Sequence, residues 1–286
     1  MRNMRKTLLL ISFLVLVMTG CASLSGSRIE PAEKSEETAA GIPDYSKAKG
    51  SIRLMTYNVG VFGKYIDNSV PLVADLIKEA KPDIVGLNEL DSCNRRHSAY
   101  QLEELNSCLG KGWNFVFQSM FPYQEGGYGI GVETTHKILS TKSYDIPKTP
   151  GVKHMGLLAV ETKDFVFMST HLNVTGSISL EQAKLINEYV RKDYWGKGKP
   201  VFLAGDMNSR PGSATIAELE RYWTVISAKE PTFPSTAPDR CIDYVLILNN
   251  IPKYTVVKSS ACTGFKSGDV KVASDHIPIF VDVILP

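Results

Sequence analysis

Pro200-Val201-Phe202-Leu203-Ala204-Gly205-Asp206-Met207-Asn208-Ser209 starts as a strand without a polar face and ends in a cluster of polar groups. Residues 200–205 show no alternation, so both faces of that strand need cover, as in a sheet buried between two layers. A carboxylate and a carboxamide at such a tip are costly to bury unless they are paired or used. Taken alone, Asp206 and Asn208 fit an Asx turn after a strand as well as they fit a working site.

The same ending recurs along the chain. Residues 52–57 read as a strand that runs into Asn58, and the buried strand 83–89 ends in Asn88-Glu89-Leu90-Asp91. Residues 165–170 end in Ser169-Thr170-His171-Leu172-Asn173. Ile242-Asp243-Tyr244 opens the strand 242–248, and Ser274-Asp275-His276-Ile277-Pro278 opens the strand 277–283. Further strands are predicted at 114–118, 128–133 and 157–162, the last joined to 165–170 by a hairpin turn at Lys163-Asp164. Helices are predicted over 70–80, ended by Lys81-Pro82, over 100–109, stopped by Gly110, and over 180–194, where Ser179 and Gln182 form a capping box. Strands that follow one another without helices between them point to mixed or antiparallel sheets, not to a doubly wound layout.

The 286 residues are 43% hydrophobic and 22% charged, which excludes a disordered chain, a collagen or a disulfide scaffold and allows one large α/β domain. Arg2, Arg5 and Lys6 precede an apolar run at 8–18 and then Thr19-Gly20-Cys21, the order of a secretory signal too short to span a bilayer. The Gly20-Cys21 junction resembles the lipobox of bacterial lipoproteins, so residues 1–20 are expected to be a lipoprotein signal peptide and Cys21 the lipidated membrane anchor. Taking away the three leader charges leaves 29 Lys+Arg against 30 Asp+Glu, without the positive excess that non-specific binding to a phosphate backbone requires. Residues 21–50 carry almost no large apolar side chain and read as a flexible tether, with the folded domain at 51–286. The four remaining cysteines permit three pairings. Cys93–Cys108 and Cys241–Cys262 are the expected ones, against four free thiols.

In this order the six polar blocks resemble the endonuclease/exonuclease/phosphatase superfamily of metal-dependent phosphoesterases, over about residues 52–283. Gly205-Asp206-Met207-Asn208 and Ser274-Asp275-His276 carry the resemblance most specifically. It implies a four-layer α/β sandwich, two mixed β-sheets flanked by helices, with the site at one end. It also implies a metal-dependent phosphoric ester hydrolase working by metal-activated water attack. Carboxylate and amide oxygens suit Mg2+ or Mn2+, whereas the chain lacks a His-Glu-x-x-His or paired Cys-x-x-Cys signature for zinc. Glu89 is the best metal ligand, and the resemblance adds Asn58 and Asp275 beside it. It further implies that Asp206 orients and deprotonates the water and that Asn208 holds the water or a phosphate oxygen. His276 would stabilise developing charge with Asp243 on its other nitrogen, and His171 would donate to a non-bridging oxygen.

Two departures stand out. Gly60 occupies a position where many nucleases of the superfamily carry an acidic residue, and Gly129-Ile130 replaces a frequent Gly-Asn. Both weaken the nuclease reading more than the phosphoesterase reading. The expectation is an exported, membrane-tethered monomer, periplasmic or at the cell surface, that hydrolyses small-molecule or lipid-derived phosphate esters. An extracytoplasmic endo- or exonuclease using the same site is the alternative, and an inactive binding module the remote one. His97, His136 and His154 match no motif, and Asp91 with Arg95 and Arg96 fits either phosphate binding or solvated surface. The glycine run 126–131 reads as a strand with close backbone approach, not as a dinucleotide fingerprint.

Overall fold

Strands without a polar face need two covers, and the computed structural model, which describes residues 42–146, 155–251 and 253–286, shows where those covers come from. In chain order the elements are β1 (Ile52–Asn58), a 3-10 turn (Gly60–Phe62), α1 (Val70–Ala80), β2 (Ile84–Ser92), α2 (Gln101–Leu109), β3 (Asn114–Tyr123) and β4 (Gly126–Thr134). There follow β5 (Ser140–Ile146), β6 (Met155–Glu161), β7 (Val166–His171), α3 (Gly176–Asp193), β8 (Val201–Asp206) and α4 (Ala214–Glu220). The chain closes with β9 (Trp223–Val225), β10 (Asp243–Leu248), β11 (Thr255–Ala261), α5 (Val270–Ala273) and β12 (Ile279–Ile284).

Two six-stranded mixed sheets result among the described residues, in the orders β11-β12-β1-β2-β4-β3 and β5-β6-β7-β8-β10-β9. Strand alternation divides the apolar residues between two cores. Along β1, Met55 and Tyr57 pack with Val73, Ile77 and Leu105 of α1 and α2, whereas Leu54 joins the core shared with the second sheet. That inner core holds Val281 and Ile130 of the first sheet with Leu157, Phe167 and Leu203 of the second, and continues to Ile186 and Leu219 of α3 and α4. Helix, sheet, sheet and helix therefore form the expected four layers.

The edges were the part the pattern left unmarked. β5 is an edge strand with mostly exposed polar residues, and β11 and β9 also lie at or near sheet edges, where one-sided burial gives no apolar run. α3 starts a turn earlier than the Ser179–Gln182 box predicts, at Gly176 with Thr175 as its N-cap residue. Ser179 bonds Gly176 O and Thr215, and Gln182 Oε1 accepts from Asn173 N at 2.8 Å, so both residues tie the helix to its neighbours and neither caps it. The glycine run does bring backbones close: a Cβ on Gly129 would run into Gln118 O of β3.

The expected disulfides are absent. Cys93, Cys108, Cys241 and Cys262 are all free thiols. Cys241 belongs to the inner core and Cys262 to the outer one, so the first sheet separates them, and Cys93 is exposed while Cys108, on α2, is half-buried against the outer core. Residues 42–50 of the expected tether lie against the domain. Ile42 and Tyr45 interrupt that polar stretch and pack on the outer core; the Tyr45 ring stacks on Phe265 at 5.0 Å and its hydroxyl donates to Gly264 O. Residues 1–41, including the leader and Cys21, fall outside the described residues, and among the described ones no helix is long and apolar enough to cross a membrane.

At the start of β1 the buried Arg53 guanidinium meets both oxygens of Asp282 at 2.7 Å and spends its remaining N–H groups on the carbonyls of Tyr45, Ser46 and Ala80. Phe280 lies 4.2 Å below it. Such a pair stabilises little against an apolar replacement, but breaking it strands a buried charge. Asp282→Leu is expected to lower stability to urea by roughly 3–5 kcal/mol, and Arg53→Met with Asp282→Leu to recover most of that. A single-variant loss below about 1 kcal/mol, the scale of an exposed pair, would contradict this.

Candidate active site

Strand register alone gathers most of the polar tips. Asn58 lies beside Asn88 in the parallel pair β1–β2, and His171 beside Asp206 in the parallel pair β7–β8. Asp206 in turn faces Asp243 across the antiparallel pair β8–β10. The segment before β12 then adds Asp275 and His276. Gly205 makes this approach possible: a Cβ there would collide with Thr170 O of the neighbouring strand.

Two asparagines join the sheets. Asn88 Oδ1 accepts from Asp206 N at 3.0 Å and Asn88 Nδ2 donates to Thr170 O at 2.9 Å, so one side chain of the first sheet holds two strands of the second. Asn58 Nδ2 donates to Glu89 Oε1 at 3.2 Å and to Asp206 Oδ2 at 3.1 Å, while its oxygen accepts from Gly60 N. The amide thus turns its nitrogen to the carboxylates. Glu89 sits at a β-bulge between Asn88 and Leu90, with φ at 59°. The extra residue aims its carboxylate into the cleft.

Around Asp206 the groups form a compact acid–imidazole cluster. Asp206 Oδ2 lies 3.6 Å from both His171 Nε2 and His276 Nε2. His276 Nδ1 meets Asp243 Oδ2 at 2.9 Å, and that oxygen also accepts from Thr232 Oγ1 at 2.5 Å. Asn208 combines both readings of its motif. Its N–H closes an Asx turn on Asp206 Oδ1 at 2.8 Å, with φ at 47°, while its side-chain nitrogen lies 3.1 Å from His171 Nε2 and donates to Leu172 O.

Charge follows from this crowding. Burial alone would lower His276, but Asp243, Asp206 and Asp275 outweigh it and lift the imidazole from 6.5 to about 9. Burial and the neighbouring Asp243 push Asp206 up, against the pull of the two histidines. Glu89 goes the other way. Burial would raise it, yet His171, Lys64, Asn58 and His276 hold it below the usual carboxylate range.

These groups line one side of a cleft of about 450 Å³. Phe121, Tyr128, Met155, Phe233 and Ile242 add apolar lining, and Arg240 adds a cation. Arg240 stacks over Phe233 at 4.4 Å, and Phe233 lies 4.6 Å from His276. The other candidates stay outside. Asp91 is buried and held by Arg96 through two bonds of 2.7 and 2.8 Å, and Arg95 is exposed beside Glu125. His97 pairs with Glu104 and His136 packs on Phe165, whereas His154 lies outside the described residues.

Residues 55–276 match the endonuclease/exonuclease/phosphatase family. The chain belongs to that family. No curated protein matches the sequence. Among solved structures, a family protein from Bacteroides vulgatus aligns at a TM-score of 0.66 and 16% identity, covering 83% of this chain and 100% of its own. A mannosyl-6-phosphatase from Bacteroides thetaiotaomicron aligns at 0.66 and 17%, covering 82% and 100%. D. rerio TDP2 complexed with a single-strand DNA product aligns at 0.61 and 16%, covering 82% and 99%. The family's members hydrolyse phosphoesters, and at these identities the likeness establishes the fold.

Asn88, Thr232 and Lys64 are the site residues that sequence reasoning passed over. Asn88 did carry a signal, being an amide inside an apolar strand. Thr232 and Lys64 sit in loops with no pattern to mark them.

The raised His276 value has a direct consequence. With a folded value above the unfolded one, its contribution to stability is complete below about pH 6.5 and is lost as pH rises through about 9. An NMR titration of metal-free protein should place His276 near 9, and in Asp243→Asn distinctly lower. A wild-type ring titrating at or below 6.5 would contradict the cluster's electrostatics.

Proposed function

We propose that the protein is an exported, lipid-anchored hydrolase of small-molecule or lipid-derived phosphate esters that depends on Mg2+ or Mn2+. One observation supports this above all: an acid–imidazole cluster centred on Asp206 stands beside two half-buried carboxylates, Glu89 and Asp275, that already share a cation, the Lys64 ammonium at 3.4 and 3.2 Å. A pair of hard oxygen donors that draws a cation between them fits a divalent metal of this kind. Glu89 and Asp275 are the residues to hold it, with Asn58 bonded to Glu89 alongside. When bound, the metal supplies Lewis-acid polarisation of the phosphoryl oxygens.

The rest of the chemistry belongs to the chain's own groups. Asp206, raised towards the working pH, accepts the proton of the attacking water, and Asn208 holds that water or a phosphate oxygen. His276, kept protonated by Asp243, places a positive charge against the oxygens as negative charge gathers on them. Asp243 fixes the tautomer and orientation of that ring, and is itself fixed by Thr232. His171 donates to a non-bridging oxygen. The aromatic and aliphatic lining accepts the apolar part of the ester.

The fold serves a sugar phosphatase and a DNA-processing enzyme alike, so charge and cleft shape carry the choice between them. A balance of 29 basic against 30 acidic residues after removal of the leader, with a cleft lined by Phe121, Tyr128 and Phe233, favours a small ester over a nucleic acid. Metal-stripped protein given Mg2+ or Mn2+ should cleave a chromogenic phosphomonoester, a phosphodiester or a lipid phosphodiester in preference to plasmid DNA. Asp206→Ala and His276→Ala should each lower turnover by roughly 100- to 10,000-fold with the fold intact, and Glu89→Gln should raise the metal requirement. Preferential cleavage of DNA would select the nuclease, and normal turnover by Asp206→Ala would remove the mechanism.

A further inference from the structure

Lys64 comes to the site from the loop after β1, and its ammonium pairs with Glu89 Oε2 and Asp275 Oδ2 at once. Its stem runs through the space that Gly60 leaves open. A Cβ at position 60 would press on Lys64 Cγ and stand 2.8 Å from Lys64 Cε and 2.9 Å from Asp275 Oδ1. The backbone that launches the lysine is a built feature. Gly60, Val61 and Phe62 have φ of 53°, 54° and 53°, a left-handed run that a β-branched residue enters only under strain. Buried Gln101 holds that run in place: its Nε2 donates to Val61 O at 2.6 Å, and its Oε1 accepts from Asp91 N at 2.7 Å. Ser69 N closes the loop on Phe62 O at 2.8 Å. The turn is fixed, whereas the lysine side chain is 35% exposed and is free to swing out on its flexible stem.

We propose that Lys64 is a built-in counter-ion that occupies the Glu89–Asp275 seat until a divalent metal displaces it, so that the chain sets its own metal affinity through a competing ammonium. This rests on the metal-dependent reading above. An ammonium and a divalent ion cannot both sit within 3–4 Å of the same two carboxylate oxygens without strong mutual repulsion. Metal entry therefore breaks two ion pairs and expels a side chain. In the metal-free protein the same lysine keeps two crowded carboxylates from facing each other uncompensated.

Mn2+ binding to metal-stripped protein, read from the EPR signal of the free ion, tests this without reference to turnover. Lys64→Met keeps the stem and removes the charge, and Lys64→Gln is a second replacement should the first fold poorly. Both are expected to bind Mn2+ about tenfold or more tightly than the wild type, with a larger metal-induced rise in Tm. Equal or weaker binding by both, with Glu89→Gln still weakening it, overturns the counter-ion and leaves the metal reading standing. Binding by neither wild type nor variants, or binding untouched by Glu89→Gln, overturns the metal reading and the counter-ion with it.

Discussion

Asn88 spans the gap between the two sheets with one amide, accepting from Asp206 N and donating to Thr170 O. The inner faces of the sandwich are apolar, so charge is tolerated only at the ends of the strands, and the ends need a fixed offset if groups from different sheets are to meet. Asn88 sets that offset. It ties the backbone of the residue that carries the central carboxylate to the strand that carries Glu89, one position along. Asn58 repeats the link at side-chain level by donating to Glu89 and Asp206 together. Removing such a buried amide leaves donor and acceptor groups unpaired on both sheets, which is why the site and the packing stand on the same bonds.

Those bonds divide the site into two halves with different charge logic. Asp206, Asp243 and His276 offer ligating atoms within 4.8 Å of one another, a spacing a metal could use. Yet this group already holds a proton of its own: Asp243, Asp206 and Asp275 outweigh the burial that would neutralise His276 and keep the imidazole charged to about 9. Glu89 and Asp275 instead share the Lys64 ammonium. The first half is equipped to move a proton and to meet negative charge, the second to hold a cation. The proposed metal is assigned to the second half on that ground.

Much of this was legible in the sequence because burial leaves a strong mark. The apolar strand 200–205 and the polar ending at Asp206 could be read from one segment, and the order of the six blocks carried the family. What escaped was set by tertiary contact. Edge strand β5 is polar because one side faces water, and Ser179 and Gln182 look like a cap but serve neighbouring loops. The cysteine spacing suggested pairs that are free thiols in the fold, Cys241 and Cys262 lying in different cores, and Tyr45 and Ile42 anchor an otherwise polar stretch to the domain. Lys64 is a lone lysine in a loop, and only the vacancy left by Gly60 explains where it goes.

Anomalous diffraction from a crystal soaked in Mn2+ locates the metal independently of any assay. A peak bonded to Glu89 and Asp275 at about 2.0–2.2 Å, with the Lys64 ammonium moved away and His276 still paired with Asp243, is the predicted result. A peak among Asp206, Asp243 and His276, or none near the cleft, would contradict the division of the site into a proton-handling half and a cation-holding half.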